Sequence, residues 1–178
     1  MFFKMRSAYF VAAACSILTV TAVASAKYKL QNQQIQVKAS GPGGMEINGK
    51  SSNLVLDESD TTLSFKGFLN AVNTGNSMRN GHLQERFDAK EDKFNAVVLT
   101  IPKDAIDEKV KSNAKVKGTL KFHNQTKPVD VTYSVNEKKH VNASFSFNVT
   151  DHGIDPKKLC YLGVCAKETV KIIVDFDF

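Results

Sequence analysis

Arginine is scarce in this sequence. Three of its 178 residues are arginine, at Arg6, Arg79 and Arg86, so the formal net charge of +6 at neutral pH is carried almost entirely by lysine. Nucleic-acid-binding proteins rely on arginine forks and on clustered aromatic rings that stack on bases, and neither is concentrated here. We therefore expect no nucleic-acid partner. The lysines are interpreted as solubilising charges on strands, with attraction to an anionic head group or membrane surface as the alternative.

The residue patterns of catalytic and metal sites are also missing. The four histidines are scattered, without the spacing or the acidic neighbours of a metal-binding pair. The sequence has no serine-nucleophile motif, and the Gly-Pro-Gly-Gly run at 41–44 is typical of a turn. Arg79, His82 and Asp88 suggest acid–base chemistry, but a polar segment of this kind more often anchors a loop. We predict no enzymatic activity, no catalytic residue, no metal site and no cofactor.

Charged residues are absent from residues 8–24. Lys4 and Arg6 precede this run and Ala-Ser-Ala follows it at 24–26, which is the pattern of a cleavable secretory signal. The run is shorter than the roughly 20 residues that span a bilayer, which favours cleavage over an uncleaved membrane anchor. A lipoprotein signal at Cys15 fits less well, because apolar residues continue beyond it.

We therefore predict a signal peptide at 1–26 and a periplasmic or secreted mature chain that begins at Lys27. The remaining residues, 27–178, suffice for one domain with one core. This domain contains Cys160 and Cys165, with no second cysteine pair or His-x-x-x-His partner to complete a zinc site. Because an exported chain meets an oxidising compartment, we predict a disulfide between them, with free thiols as the alternative.

Long amphipathic helices are absent as well, and the dominant pattern is an alternation of apolar and polar residues, which indicates strands. The stretch 116–135 alternates on both sides of a polar turn and predicts a hairpin with one apolar face. Similar alternation predicts strands at 30–40, 61–69, 141–149 and 170–178. Two further strands are predicted at 45–56, where the chain returns after the turn at 41–44, and at 94–101, before Pro102. The intervening segments predict a long loop with a short helix at 70–93 and one or two helical turns at 104–112.

About eight strands with one apolar face each must close into a barrel or pair as two sheets, because no helix is long enough to cover them. An eight-stranded barrel has an interior that side chains fill or that holds one small ligand, and the residues alone leave both outcomes open. The side chains predicted to point inward are Leu63, Phe65, Val116, Leu120, Phe122, Val129, Val131, Tyr133, Phe145, Phe147, Val170, Ile172 and Val174.

Three segments resemble the YceI-like family in order and position. Residues 74–83 read Thr-Gly-Asn-Ser-Met-Arg-Asn-Gly-His-Leu and are followed by Phe-Asp at 87–88. Residues 118–129 read Gly-Thr-Leu-Lys-Phe-His-Asn-Gln-Thr-Lys-Pro-Val. Residues 151–154 and 161–164 read Asp-His-Gly-Ile and Tyr-Leu-Gly-Val. Each motif alone is weak, but together they span nearly the whole mature chain.

The resemblance implies an extended eight-stranded antiparallel lipocalin-like barrel, all-β apart from the short helix, exported to the periplasm. Its interior would accept a long isoprenoid or similar amphiphile. Asn80 stands where the family often has Asp, which removes a partner for Arg79, and Asn124 stands where it often has Gly, which alters a turn.

We accordingly predict that the inward-pointing residues bind a long apolar amphiphile: a polyisoprenoid lipid, an isoprenoid quinone or a fatty amide. Transient contact with a membrane surface is expected, and a homodimer is left open. The alternative function is that of a ligand-free exported module for protein interaction or stress response.

The first testable prediction concerns export. Protein isolated from its native host should begin at Lys27, because signal peptidases cleave after small residues such as Ala26. N-terminal sequencing checks this. A protein that retains Met1 or carries a lipid on Cys15 would contradict it.

Overall fold

The computed structural model describes residues 27–110 and 113–178. The predicted signal peptide at 1–26 and two residues of the predicted helical segment 104–112 lie outside the described residues. Within them the chain forms strands, short 3-10 turns and one α-helix, α1 (Ser77–Arg86). The strands are β1 (Gln31–Ser40), β2 (Glu46–Ser51), β3 (Leu54–Glu58), β4 (Thr62–Phe68), β5 (Ala96–Pro102), β6 (Ala114–Phe122), β7 (Gln125–Val135), β8 (His140–Asn148), β9 (Cys160–Tyr161), β10 (Val164–Cys165) and β11 (Thr169–Asp177).

Nine of these strands form one antiparallel sheet in the order β2-β1-β11-β8-β7-β6-β5-β4-β3, and β9 and β10 form a separate hairpin. The sheet curls into a nearly closed barrel, which confirms the predicted architecture. It has one more strand than predicted, because the expected strand at 45–56 is interrupted at residues 52–53. There the chain passes from one edge strand, β2, to the other, β3. The one or two helical turns predicted at 104–112 overlap a single 3-10 turn, Lys103–Ala105.

The seam between the two edge strands is closed by the segment that follows β4. Asn73 and Lys50 exchange backbone hydrogen bonds of 2.8 and 2.9 Å, which gives β2 a partner on its outer edge. On the inner side, a Cβ built on Gly67 of β4 would lie 3.1 Å from Ile35 Cδ1 of β1. The two ends of the sheet therefore meet, and the bridge shortens the edge of β2 that could pair with another chain.

The predicted hairpin at 116–135 is formed by β6 and β7. Its two-residue turn places His123 at φ 47° and Asn124 at φ 61°, as a type I′ turn requires. Asparagine tolerates this left-handed backbone conformation, so the departure from glycine at position 124 preserves the turn. Along β6, buried and exposed residues alternate without interruption from Lys115 to Phe122. The apolar face of the hairpin points into the barrel.

β5 and β6 approach each other closely at Gly118. A Cβ at this position would lie 2.9 Å from the backbone oxygen of Thr100 and 3.2 Å from Leu99 Cδ1. The backbone oxygen belongs to the strand ladder and cannot withdraw without disturbing it. Glycine is therefore required here by space.

We predict that Gly118→Ala lowers the free energy of unfolding by about 1–3 kcal/mol, the usual cost of overpacking. Urea denaturation measures this. Gly81→Ala is the matched control: Gly81 lies inside α1, and no described residue would lie within 4 Å of its new Cβ. Alanine suits a helix better than glycine, so the control should raise stability by about 0.5–1 kcal/mol. Similar losses in both variants would show that the close approach at Gly118 is unimportant.

Candidate functional site

The barrel encloses a cavity with a volume of about 810 Å³. This volume falls within the range of about 300–1,000 Å³ that is typical of small-molecule sites. The wall of the cavity consists mainly of aliphatic and aromatic side chains. The cavity is therefore the candidate functional site.

Most of the side chains predicted to point inward lie in this wall. Those that line the cavity are Leu63, Phe65, Val116, Phe122, Val131, Tyr133, Phe145, Phe147, Val170, Ile172 and Val174. Contact of these residues with a ligand stays a prediction.

Leu120 and Val129 are also buried, but neither lines the cavity. Leu99 is paired with Leu120, and Val129 is paired with Gly118. Leu99 packs over Gly118 and lines the cavity at this point. Leu99 of β5 thus lines the cavity beside Gly118, where Leu120 and Val129 were expected to line it.

The cavity wall also contains residues that the predicted set omitted. On strands they include Ile35, Val37, Ala39, Ile47, Leu54, Leu56, Val97, Leu99, Ile101, Val135, Val141, Ala143 and Phe176. Their signal in the sequence is the same alternation, which is visible for example at 35, 37 and 39 and again at 97, 99 and 101.

One end of the barrel is closed by aromatic rings and an ion pair. Tyr28 packs edge-on against Phe178, with ring centroids 5.2 Å apart. The Tyr28 hydroxyl donates a hydrogen bond to Glu108, which also forms an ion pair with Lys27. Lys27 first, and then Tyr28, hold the pKa of the Glu108 carboxyl below its usual value. The charge of Glu108 is thus satisfied locally and does not project as a free anion into the cavity.

The segment between β5 and β6 folds across the same end. The backbone N–H of Asp107 donates a hydrogen bond of 2.8 Å to the hydroxyl of Tyr133, which lines the cavity. Lys103 forms an ion pair of 2.6 Å with Glu58 and is the main cause of the lowered pKa of that carboxyl. We call the end of the barrel formed by Tyr28, Phe178 and the segment between β5 and β6 the closed end.

The opposite end is open. The lining residues that are exposed to solvent are Met45, Asn76, Met78, His82 and Lys167, and all of them lie there. They belong to the loop 41–45, to α1 with its N-cap, and to the segment 156–167, which includes β9 and β10. We call these three segments together the mouth. At the start of α1, the Asn76 side chain accepts a hydrogen bond of 3.1 Å from the backbone N–H of Arg79.

Asp88 ties the mouth to the barrel. Its carboxylate accepts hydrogen bonds of 2.8 and 2.9 Å from Lys158, and it lies 3.2 Å from His123 Nε2 in the β6–β7 turn. Lys158 is the main cause of the lowered pKa of Asp88, and His123 adds to it. Arg79 and His82 line the cavity, whereas Asp88 does not. Of the three residues that suggested acid–base chemistry, Arg79 and His82 therefore belong to the cavity wall, whereas Asp88 anchors the mouth to the barrel.

Other mouth-proximal polar residues are structural. His152 is 1% exposed and packs against Phe122 and Phe147, with ring centroids 5.7 and 5.3 Å away. Its Nδ1 lies 3.2 Å from the backbone oxygen of Gln125. Asn80 accepts hydrogen bonds from the backbone and hydroxyl of Thr74, so this departure from the family pattern braces its own loop.

The predicted disulfide between Cys160 and Cys165 is present and links β9 to β10. Among the described residues, no group of three or more His, Cys, Asp or Glu side chains is placed to hold a metal ion. In residues 27–110 and 113–178, no helix combines the length and apolar character needed to cross a membrane.

Comparison with known proteins agrees with this architecture. Residues 15–178 match the family model of the YceI-like domain. The chain belongs to the YceI-like family. No curated protein sequence matches it.

Two solved structures share the YceI-like fold of this chain. One is a polyisoprenoid binding domain from Saccharophagus degradans implicated in plant cell wall breakdown, with 13% identity and a TM-score of 0.62 over 83% of this chain and 94% of that one. The other is BcnA of Burkholderia cenocepacia, with 11% identity and a TM-score of 0.65 over 83% of this chain and 98% of that one. At these identities the likeness establishes the fold.

The motifs that resemble the YceI-like family build the open half of the barrel. Residues 74–83 form the loop before α1 and most of that helix, and 118–129 form the hairpin that carries the turn bound to Asp88. Residues 151–154 supply the buried His152, and 161–164 lie between the two cysteines of the disulfide.

We predict that Asp88→Asn lowers the free energy of unfolding at neutral pH by up to about 1 kcal/mol, since the ion pair is partly exposed. The pKa of Asp88 is lower in the folded protein than in the unfolded chain. Its stabilising contribution is therefore fully present above about pH 4 and is lost as the pH falls through the folded-state pKa. Urea denaturation of both proteins from neutral to acidic pH should show their difference shrinking toward acid.

Asp130→Asn is the control for this measurement. Asp130 pairs with Lys117 at 3.0 Å on the outer surface, where the two side chains are 72% and 88% exposed. Its effect should be smaller than that of Asp88→Asn. A difference for Asp88→Asn that does not change with pH would rule out the anchoring role of its charge.

Proposed function

We propose that this YceI-like protein binds and carries a long apolar amphiphile in its barrel. The observation that supports the proposal is the cavity of about 810 Å³, walled by apolar side chains and open at the mouth. Protein interiors are close-packed, with few voids larger than a water molecule. Apolar cavities of sufficient size take up apolar molecules in preference to water. A space of this size inside a small domain is therefore best explained by an occupant.

A polyisoprenoid lipid is the favoured occupant, with an isoprenoid quinone or a fatty amide as alternatives. One protein of the same fold is a polyisoprenoid binding domain, and the family relationship carries that chemistry to this chain. Burial of each methylene gains about 0.8 kcal/mol, so a tail of about twenty such groups gains about 16 kcal/mol. Association costs about 4–15 kcal/mol in lost freedom. A long tail is therefore needed for tight binding.

The charges in the cavity wall orient the ligand. Arg79, Arg86 and Lys167 line the cavity at the mouth, whereas Glu108 lies at the closed end and is paired with Lys27. The interior also narrows with distance from the mouth. Phe65 and Phe176 lie on strands that are not neighbours in the sheet, yet their ring centroids are 5.5 Å apart across the barrel. We infer that the tail enters first and that an acidic head group remains among the cations of the mouth.

The periplasm is the proposed place of action. The supporting observation is the secretory pattern of residues 1–26, together with a pair of cysteines that form a disulfide. In this compartment a carrier would shield a water-insoluble tail between membranes.

The deciding experiment is native mass spectrometry, with organic extraction of protein purified from its own host. We expect a bound lipid that survives purification, and uptake of polyprenyl phosphate by protein from which the lipid has been extracted. If the protein is empty and takes up neither polyprenyl phosphate, quinone nor a fluorescent lipid probe, the carrier function is wrong. The ligand-free interaction module then replaces it.

We predict that Ala143→Leu weakens uptake of polyprenyl phosphate by about tenfold, because the larger side chain occupies cavity volume that the tail needs. Ala143 is half-buried in the cavity wall. Leu120→Met is the matched control, since Leu120 is fully buried but does not line the cavity, and this swap conserves volume. Circular dichroism establishes that both variants fold. Equal affinities of the two folded variants would place the ligand elsewhere.

A further inference from the structure

Large exposed apolar side chains are concentrated at the mouth. Leu162 is 87% exposed, Met78 70%, Met45 53% and Val164 47%. They come from the three segments of the mouth: Met45 from the loop 41–45, Met78 from α1, and Leu162 and Val164 from the hairpin of β9 and β10. Scattered exposed apolar residues need no explanation, but here they share one end of the barrel.

The mouth segments are in contact with one another. β10 lies against the 3-10 turn Pro42–Gly44, and the Arg79 guanidinium of α1 lies 3.9 Å from Met45 Sδ. Met45 and Met78 also line the cavity. The exposed apolar side chains therefore form one rim around the opening through which a ligand must pass.

Leu162 is the most exposed member of this rim and has an unfavourable backbone conformation. It lies at the tip of the hairpin with φ 47°, followed by Gly163 with φ 79°. Turns of this kind favour Asn, Asp or Gly, and a left-handed conformation costs other residues about 1–2 kcal/mol. Because the leucine side chain is 87% exposed, packing within the chain does not offset this cost. Neither local conformation nor core packing explains leucine at this position.

The charge around the rim is strongly positive. Within the mouth segments the sequence has the cations Arg79, Arg86, Lys157, Lys158 and Lys167, and one carboxylate, Glu85. Lys158 is engaged by Asp88. At the closed end, in contrast, carboxylates are offset by cations: Glu58 is paired with Lys103 and Glu108 with Lys27. The excess of cations turns the mouth toward an anionic surface during approach.

We propose that the mouth docks on an anionic lipid bilayer, with Leu162 and the neighbouring apolar side chains inserted among the head groups. Apolar tips surrounded by lysine and arginine are the chemistry of interfacial membrane binding, in which apolar burial and attraction to acidic lipids act together. The tight hairpin closed by Cys160–Cys165 presents Leu162 at a fixed position. Docking also serves the proposed carrier function, on which this step rests. A lipid tail can then pass between the bilayer and the cavity through the docked mouth without crossing water.

The test is co-sedimentation of the full mature protein with vesicles of equimolar phosphatidylglycerol and phosphatidylcholine, compared with vesicles of phosphatidylcholine alone. We expect binding to the anionic vesicles, reduced by added salt because screening weakens the attraction. Leu162→Asn should lower the affinity by about tenfold, since one buried leucine contributes roughly that much. Asparagine suits the left-handed turn, so the variant should fold at least as stably as the wild type.

Two further variants complete the design. Val55→Thr is the matched control, because Val55 is 40% exposed on β3, on the barrel wall between two cavity-lining residues, and is not part of the mouth; its binding should equal that of the wild type. Lys157→Glu should weaken binding to anionic vesicles about fivefold. Absence of binding by the wild type, or equal binding by Leu162→Asn, would overturn the proposal.

Native mass spectrometry of Leu162→Asn separates this proposal from the carrier function. Full lipid occupancy with lost vesicle binding supports docking as a step distinct from ligand retention. Wild-type protein that is empty and takes up no lipid, but still binds anionic vesicles, would refute the carrier function and leave docking intact. Full occupancy with unchanged vesicle binding would refute docking alone.

Discussion

The structure depends on one constraint: a sheet with a single apolar face has no second layer to pack against and must bury that face on itself. Closure is achieved at the seam, where β2 and β3 are consecutive in the chain yet form opposite edges of the sheet. The Asn73–Lys50 backbone bridge gives β2 a partner, and the contact of Ile35 with the Gly67 position brings the inner faces together. Once closed, a wall of nine strands encloses more space than its own side chains fill.

The functional asymmetry of the barrel comes from its loops, because the strands present the same apolar face along their whole length. At one end, Tyr28, Phe178 and the Glu108–Lys27 pair fill the opening and satisfy their own polar groups. At the other end, α1 and the disulfide-linked hairpin are held beside the opening, with Lys158 fixed to Asp88, and leave it accessible. Under the proposed functions, access, head-group binding and membrane contact therefore belong to the loops, and the tail site belongs to the strands.

The strands and most of the cavity wall were predictable because period-two alternation states directly which side chains share a face. Leu63, Phe145 and Ile172 were placed in this way. The break at residues 52–53 was missed, although the inward side chains change there from odd positions, Ile47 and Gly49, to even positions, Leu54 and Leu56, across the polar run Ser-Ser-Asn at 51–53. Leu120 and Val129 alternate correctly but do not line the cavity, where Leu99 lies over Gly118, and such placement depends on the separation of neighbouring strands. The residues of the mouth have no periodicity, and only family resemblance drew attention to Arg79 and His82.

An apolar cavity of about 810 Å³ also links binding to folding. Side chains that face empty space lack dispersion contacts on one side, and small residues such as Ala39 and Ala143 in the wall leave this space unfilled. A tail that enters supplies the missing contacts, and because the unfolded chain offers no such site, every gain in binding free energy stabilises the folded state by mass action. The disulfide and the Asp88 anchor lie at the mouth, where the barrel must stay open when it is empty. Covalent and ionic restraints at the open end would therefore complement a core that, under the proposed function, its ligand completes.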